Sequence, residues 1–492
     1  MAWSELLSVL EGWSPRRVLV VGDYMLDRYA FGNADRLAPD APVPVLDIQR
    51  TEDRTGGSGN VSRDLLALMC DVACVGLLGD DEAGRTLRRL LEDEGCDVSG
   101  LVATHTRPTT IKHNLIGLAQ HRHPQKMFRL DHEDRTPIDD AQAQALLAHV
   151  HRLLPGCDAV CLEDYGKGVV TQTLASGVIR AARAAGVPVF VDPAAKADYA
   201  MYAGASAVTP NRTEAQAATG LTDPVEMAEA IAERFDIEHV VLTLDREGAL
   251  LRGPDGAHHR IPTRARTVYD VTGAGDMVLA MLAAAVANGA DWPRAVLLAN
   301  VAAGLEVEQA GVVPIPLGDV TLEVMSAHSD EAGKTRSVEG LLPELAAHRR
   351  RGRVIGFTNG CFDLLHAGHV RYLRDARRRC DVLIVGLNSD ASIRRIKGDA
   401  AGPPRPLNHQ TDRLTVLSEL ESVSYLVLFG EDEPLELIRA FQPDVLIKGG
   451  DYTPEQVVGR DLVASWGGRV ELVPLVEGRS TTGLVARISG GG

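Results

Sequence analysis

The sequence predicts an α/β chain made of two successive parallel-sheet units, the second smaller than the first. Three observations carry that prediction. Short apolar, β-branched runs alternate with helical patterns along most of the 492 residues. Polar residues such as Asp23, Asp192 and Asn211 fall just after several of the strand-like runs, where ligands bind in parallel sheets. The periodic pattern also fades once, after Val324, and then resumes.

Length and composition set the outer bounds. A chain of 492 residues exceeds one ordinary core, and 45% hydrophobic with 24% charged residues is a normal globular balance. A net charge of −16 argues against a nucleic-acid-coating surface and favours an enzyme acting on small molecules. Seven scattered cysteines without paired short spacings argue for a reducing cytosol, and Cys157 and Cys161 read as core. The first fifteen residues contain Glu5 and Glu11 and no basic segment, so they do not read as a secretory signal. The longest apolar run, 277–287, is too short to span a bilayer. The expected setting is cytoplasmic, with no membrane partner.

In chain order, buried strands are expected at 18–21, 73–78, 159–162, 187–191, 205–208 and 239–244, with helices at 174–185 and 225–234 among those between them. The first part is organised around Asp270-Val271-Thr272-Gly273-Ala274-Gly275-Asp276, followed by an apolar helical run. Two glycines ahead of a helix let the backbone turn tightly, so that amides and the positive end of the helix dipole meet an anion there. Asp276, at the mouth of that nest, suits acceptance of a proton from an attacking hydroxyl in phosphoryl transfer. The heptapeptide alone also fits a glycine turn in which Asp276 caps a helix.

Residues 326–337 are polar, small and mixed in charge, as a linker would be, which places the units at 1–325 and 338–492. A helix at 338–350 then leads to strands at 353–357, 382–387, 425–429, 445–447 and 470–473. After the first comes Thr358-Asn359-Gly360-Cys361-Phe362-Asp363-Leu364-Leu365-His366-Ala367-Gly368-His369. His366 and His369, three apart at a helix start, can face one point, and Gly368 leaves room for a phosphate against the backbone. Two imidazole donors there suit a nucleotide whose α-phosphate is under attack. Zinc would need more ligands than nearby Cys361.

The first two-thirds of the chain resembles the ribokinase-like, PfkB-type sugar kinases, on Gly56-Gly57-Ser58-Gly59-Asn60 and Asp270 to Asp276. Within them it resembles the heptose 7-phosphate kinase module of ADP-heptose synthesis. That likeness rests on the stretch from Val20 to Tyr29, Ala41-Pro42-Val43-Pro44-Val45, Asp164-Tyr165-Gly166-Lys167-Gly168 and Thr209-Pro210-Asn211. The resemblance implies a parallel-sheet kinase with a β lid, Asp276 as catalytic base, and Gly273, Ala274 and Gly275 as the anion hole. It further implies Asn211, Arg212, Thr213 and Glu214 at Mg²⁺-ATP, and Asp23, Asp27, Gly56, Gly57 and Asn60 around the sugar. Two departures stand out. Ala194-Ala195-Lys196 follows Asp192-Pro193 where the family usually has Lys-Gly, and His121-Arg122-His123 is inserted in the lid with Lys126 in place of a usual glutamine.

The second part resembles the cytidylyltransferase-like nucleotidyltransferases, a smaller Rossmann-like unit, through the His366-Ala367-Gly368-His369 signature. Supporting matches are Gly386 to Asp390, Ile396-Lys397-Gly398, Arg405-Pro406, Asp412-Arg413, Lys448 to Tyr452 and Gly478 to Thr482. The resemblance implies nucleotide or phosphate contacts from Asn359, Cys361, Phe362, Lys397, Lys448, Ser480, Thr481 and Thr482, the last three opening a final helix. The pairing of the two modules resembles the bifunctional heptose kinases and adenylyltransferases. It implies phosphorylation of D-glycero-D-manno-heptose 7-phosphate at C1 with ATP and Mg²⁺, then adenylylation of heptose 1-phosphate, with a separate phosphatase between. A different phosphosugar or polyol phosphate on the same architecture is the alternative, and a homodimer is compatible with either.

Overall fold

The computed structural model describes residues 3–118, 125–195, 198–263, 269–309, 311–397, 405–450 and 453–473. The chain divides into two compact units that part in sequence between Val320 and Thr321.

The strands of the first unit are β1 (Arg17–Gly22), β2 (Tyr24–Leu37), β3 (Pro44–Gly57), β4 (Asp71–Gly79), β5 (Asp97–Thr104), β6 (Thr110–Leu118), β7 (Gln125–His132), β8 (Ala159–Glu163), β9 (Val189–Asp192), β10 (Ala207–Val208), β11 (His239–Thr243), β12 (Ala249–Arg252) and β13 (His258–Ile261). Among the described residues, nine of them form one sheet in the order β13-β12-β11-β10-β9-β8-β1-β4-β5. Pairing is parallel from β11 through β5, and the β12–β13 hairpin closes one edge antiparallel. The chain runs outward from β1 to β4 and β5, then returns to β8 and leaves in the other direction. The crevice between β1 and β8 is thus the point where strand order reverses.

Both faces of this sheet are covered, which is why β1, β4 and β8 are almost continuously buried rather than alternating. On one face Leu19, Val21, Val160 and Leu162 pack with Leu147, Val150, Leu174, Val178 and Ile231 from three helices. On the other lie helices Ser58–Ala67 and Ala274–Ala287, the second buried at every position from Asp276 to Ala285. Its small alanines allow close approach. Leu279 and Leu282 are fully buried, each contributing about 1.5–3 kcal/mol.

The strands read from the sequence are present, most with ends shifted by one to three residues. The 205–208 run yields only Ala207–Val208, because the Ala205 amide is committed to the Tyr202 carbonyl in a 3-10 turn. A separate four-stranded sheet, β3-β2-β6-β7, forms the lid and begins directly after β1. These long, largely polar strands carry little of the alternation that marks a half-buried strand in sequence.

Part of the segment expected as a linker is helical. Residues 326–332 continue helix Leu317–Ala332. Thr335–Arg336 is strand β14, and the second unit follows with β15 (Ile355–Gly360), β16 (Val382–Asn388), β17 (Tyr425–Phe429), β18 (Val445–Gly449) and β19 (Arg469–Val473). Polar composition marked the segment as solvated, but Ala, Glu and Ser tolerate a helix. Arg336 is held by a buried ion pair with Glu344 at 2.6 Å, which fastens β14 beside helix Val338–Arg350.

The second sheet is parallel throughout, in the order β14-β17-β16-β15-β18-β19. Apolar layers cover its two faces, one around Phe357, Ile384 and Phe441, the other around Leu383, Val385 and Ile447. Its strand order reverses between β15 and β18. No helix among the described residues is long and apolar enough to cross a membrane.

Candidate active sites

The carboxyl ends of β1, β8 and β9 deliver Asp23, Glu163 and Asp192 to one place, and the amino end of helix Ala274–Ala287 delivers Asp276. Gly273 caps that helix at φ +96°, in the left-handed region, and a Cβ there would come within 2.6 Å of Glu306 Oε1. Both constraints demand glycine. Asp270 ties the turn by accepting from the Thr272 amide and hydroxyl at 3.0 and 2.7 Å. The Ala274 amide makes only a long 3.4 Å bond to the Val271 carbonyl, and the Gly275 amide has no preceding carbonyl to meet, so this turn remains open to an anion.

Asp276 is 3% exposed. Its Oδ1 accepts from the Tyr165 hydroxyl at 2.7 Å and its Oδ2 from Asn60 Nδ2 at 3.0 Å. Burial pushes its carboxyl above the usual aspartate range, while these two hydrogen bonds and nearby Lys112 act against that rise. Both oxygens are therefore oriented by neutral donors, and each keeps lone-pair capacity. Asn60 Oδ1 is buried without a partner and can accept from a substrate hydroxyl.

The glycine pentad closes against this group. Gly57 adopts φ +60°, and a Cβ on it would lie 2.4 Å from the Asp23 carbonyl. A Cβ on Gly56 would meet the Asp27 carboxyl at 2.8 Å, so that carboxyl lies flat on the glycine. Asp27 Oδ1 has no partner, and burial raises its carboxyl to about 6 against the pull of Lys112.

Asp23, expected at the sugar, ties down a loop beside the site. It is 1% exposed, and its carboxylate accepts from the backbone amides of Tyr165, Lys167 and Val169 at 2.9, 3.0 and 3.3 Å. Its hydrogen-bonding capacity goes to holding the loop that carries Tyr165, and burial raises its carboxyl to about 6. Sequence reasoning quoted Tyr165 within a motif but gave it no role, and passed over Glu163 and Lys112. The ammonium of Lys112 lies 4.9 Å from the Tyr165 ring centre.

Glu163, Asp192 and Asp276 bring carboxylate oxygens within 4.8 Å of one another, and Glu163 Oε2 is buried without a partner. Burial and neighbouring carboxylates push both Glu163 and Asp192 well above the ordinary range, Asp192 and Asp276 acting on Glu163, and Glu214 and Asp276 on Asp192. Three hard oxygen donors sharing excess negative charge fit a divalent cation such as Mg²⁺. Asn211 and Glu214 form a reciprocal capping box at helix Arg212–Thr219, with bonds of 3.0 and 2.9 Å. Glu214 adds its charge beside Asp192. Arg212 instead pairs with Glu247 at 2.7 Å.

In the second unit the ends of β15 and β18 meet at the reversal point, where Lys448 Nζ donates to Asn359 Oδ1. Burial lowers the Lys448 ammonium to about 8. His366 caps helix Ala367–Arg377, its Nδ1 accepting from the Gly368 amide at 3.1 Å. The His366 and His369 rings stack with centres 4.0 Å apart, as their spacing predicted. Burial, with His366 adjacent, lowers His369 to about 4, so it is neutral at pH 7 and donates through a single N–H.

Phe362, expected at the nucleotide, packs beside the histidines. It is 7% exposed, adopts φ +44°, and sets its ring 5.2 Å from that of His369. The Cys361 thiol is half-buried and pushed up by burial, with Lys397 nearby. Arg413, given no role by sequence, is 2% exposed and donates to the Cys361, Asn388 and Asn408 carbonyls and to Asp390, at 2.7, 2.9, 3.2 and 2.7 Å. It fixes the turn before the histidines. Ser480, Thr481, Thr482 and the 121–123 insertion lie outside the described residues.

Lys448 gives a pH test of the second site. Its ammonium is charged below about pH 8 and neutral above, so kcat/KM for a phosphate-bearing substrate should fall as pH rises through about 8. Phosphate groups are already ionised there, having second pKa values near ~6, and contribute no step. A flat profile up to pH 10 would remove Lys448 from phosphate binding.

Comparison with known proteins follows this geometry. Residues 15–317 match the pfkB family of carbohydrate kinases, and residues 357–478 match the cytidylyltransferase-like family. The chain is 45% identical over 498 residues to the bifunctional protein HldE of Paramagnetospirillum magneticum, covering 99% of each. It is 44% identical to that of Syntrophotalea carbinolica, covering 96% of this chain and 95% of the relative. The structure of phosphofructokinase-2 from Escherichia coli in complex with potassium aligns with 64% of this chain and all of its own, with TM-score 0.53 and 19% identity, a likeness of fold alone. The chain thus belongs to the HldE family of bifunctional proteins, enzymes that join a pfkB-type carbohydrate kinase to a cytidylyltransferase-like unit.

Proposed function

We propose that the first unit phosphorylates heptose 7-phosphate at C1 with ATP, giving the 1,7-bisphosphate, and that the second adenylylates heptose 1-phosphate to ADP-heptose and pyrophosphate. The observation that supports the kinase half most directly is Asp276, buried at a helix amino end with both oxygens oriented by Tyr165 and Asn60. In the kinase step the C1 hydroxyl oxygen attacks the γ-phosphorus, the bond to the β–γ bridging oxygen breaks, and ADP leaves. Asp276 accepts the hydroxyl proton. Amides at Ala274 and Gly275 and the helix dipole stabilise the charge on the transferred group. Asp27 and Asn60 orient sugar hydroxyls, and Asp23 holds the Tyr165 loop in place. Glu163 and Asp192, beside Asp276 and with Glu214 adding charge nearby, are the residues that would hold Mg²⁺, which when bound neutralises charge on the ATP phosphates.

In the second reaction an oxygen of the sugar 1-phosphate attacks the α-phosphorus of ATP and pyrophosphate leaves. His366 and His369 donate N–H groups to the α-phosphate, while Lys448 and Lys397 offset substrate charge. The free cysteines, six of them buried, suit a reducing cytoplasm in which ATP is abundant.

His366→Ala or His369→Ala should each lower adenylyl transfer by about a hundredfold or more while sugar phosphorylation continues. Undiminished transfer in both variants would remove the histidines from the mechanism. A third activity is also required, because the bisphosphate made by one unit must lose its C7 phosphate before the other can act. With heptose 7-phosphate and excess ATP, ³¹P NMR should show the purified protein stalling at the bisphosphate. An added phosphatase should then release ADP-heptose and pyrophosphate. Steady ADP-heptose formation without phosphatase would overturn that division of labour.

A further inference from the structure

The lid carries two lysines for which the reactions above leave a task open. Pairing of β2 with β6 sets Asp27 beside Lys112 and Tyr29 beside Asn114. Pairing of β6 with β7 sets Lys112 opposite Asp131 and Asn114 opposite Arg129. After an irregularity between Leu115 and Ile116, Lys126 falls opposite Ile116. Alternation along a strand therefore puts Asp27, Lys112, Asn114, Ile116 and Lys126 on one face. That face is turned to the kinase site, since Lys112 lies over Tyr165 and Tyr165 donates to Asp276. Phe128 and Leu130, on the opposite face, are 61% and 48% exposed.

Several charges on the inner face are matched within the lid, while Asp27 feels Lys112 and Lys126 without a direct bond to either. Arg129 makes two bonds to Asp131, at 2.8 and 2.9 Å, and Arg50 and Arg54 pair with Glu52. Among the described residues, neither Lys112 nor Lys126 is ion-paired. Asn114 lies between them along the lid, 3% exposed, and its side-chain oxygen has no hydrogen-bond partner. An unmet buried acceptor flanked by two unmatched cations is complementary to a ligand that carries hydroxyls and an anion. From Lys112 to Ile116 is about 13 Å at ~3.3 Å per residue, and both lysine stems are long and flexible. Such a span accommodates one sugar, with its reacting hydroxyl at Asp276 and its anion farther along the lid.

We infer that Lys112 and Lys126 receive a phosphoryl group that the sugar substrate already carries, at the end remote from the reacting hydroxyl, and that Lys126 sets the preference for phosphorylated sugars. The inference rests on the reading of the first unit as a phosphosugar kinase. Lys126 stands where the resembled family usually has glutamine, so a formal charge is added at this point of the lid in this chain.

The test is steady-state kinetics of full-length wild type, Lys126→Gln and Lys126→Arg with heptose 7-phosphate and with the same heptose lacking phosphate. For Lys126→Gln, KM for the phosphosugar should rise about tenfold with kcat within about twofold, as expected for loss of one charge-assisted contact. Lys126→Arg should restore KM to within about threefold, and KM for the unphosphorylated sugar should stay unchanged in both variants. Unchanged KM for the phosphosugar in Lys126→Gln, or equal rises for both sugars, would overturn the inference. So would a wild-type enzyme indifferent to the phosphate. If the wild type turns over another phosphosugar instead, the same comparison on that sugar and its phosphate-free form decides the role of Lys126, and only the heptose assignment fails.

Discussion

Placing a carboxylate out of water near the amino end of a helix buried from Asp276 to Ala285 is the constraint on which the first unit depends. Isolated burial of such a charge costs several kcal/mol. Here the helix dipole contributes up to ~2 kcal/mol, and hydrogen bonds to a charged group about 1.5–3 kcal/mol each. Those donors, Tyr165 and Asn60, come from segments far apart in the chain, so the site exists only once the sheet has formed. Asp23 extends the dependence. By gathering three amides of the Tyr165 loop it ties the end of β1 to the end of β8, across the crevice where strand order reverses.

The acids around Asp276 cannot all ionise together. Glu163 and Asp192 are pushed up by burial and by the carboxylates around them, and Asp64 and Glu306 form a second buried pair, Asp64 well above its range and Glu306 at about 8. Such crowding is unfavourable in the free protein and is relieved by a cation or by an electropositive ligand. The second unit uses the reverse polarity. Lys448 at the end of its sheet, the neutral His369 imidazole at a helix start and the buried Arg413 prepare a place for phosphate charge.

Much of this was legible in the sequence where the signal is local. Buried parallel strands are apolar throughout, so β1, β8 and β16 stand out. Asp276 and its glycines are neighbours in the chain, as are His366 and His369. What escaped was set by tertiary contact. Asn60 and Asp276 are 216 residues apart, Tyr165 and Asp276 are 111 apart, and Arg413 reaches back 52 residues to Cys361. Asp23 reads as a site residue from its place after β1, but only the loop conformation reveals that backbone amides occupy it. The long lid strands mix apolar and charged residues and leave no clear period, and the polar stretch at 326–332 is helical despite its composition.

The most direct test of the account changes Asp276 to Asn and measures both reactions on the same purified protein. The side chain keeps its size and one acceptor oxygen, turns an N–H toward the other partner, whose own oxygen can accept it, and no longer takes a proton. Sugar phosphorylation should fall by about two to four orders of magnitude, while adenylyl transfer from supplied heptose 1-phosphate stays near the wild-type rate. Phosphorylation at the wild-type rate, or an equal loss of both activities, would contradict it.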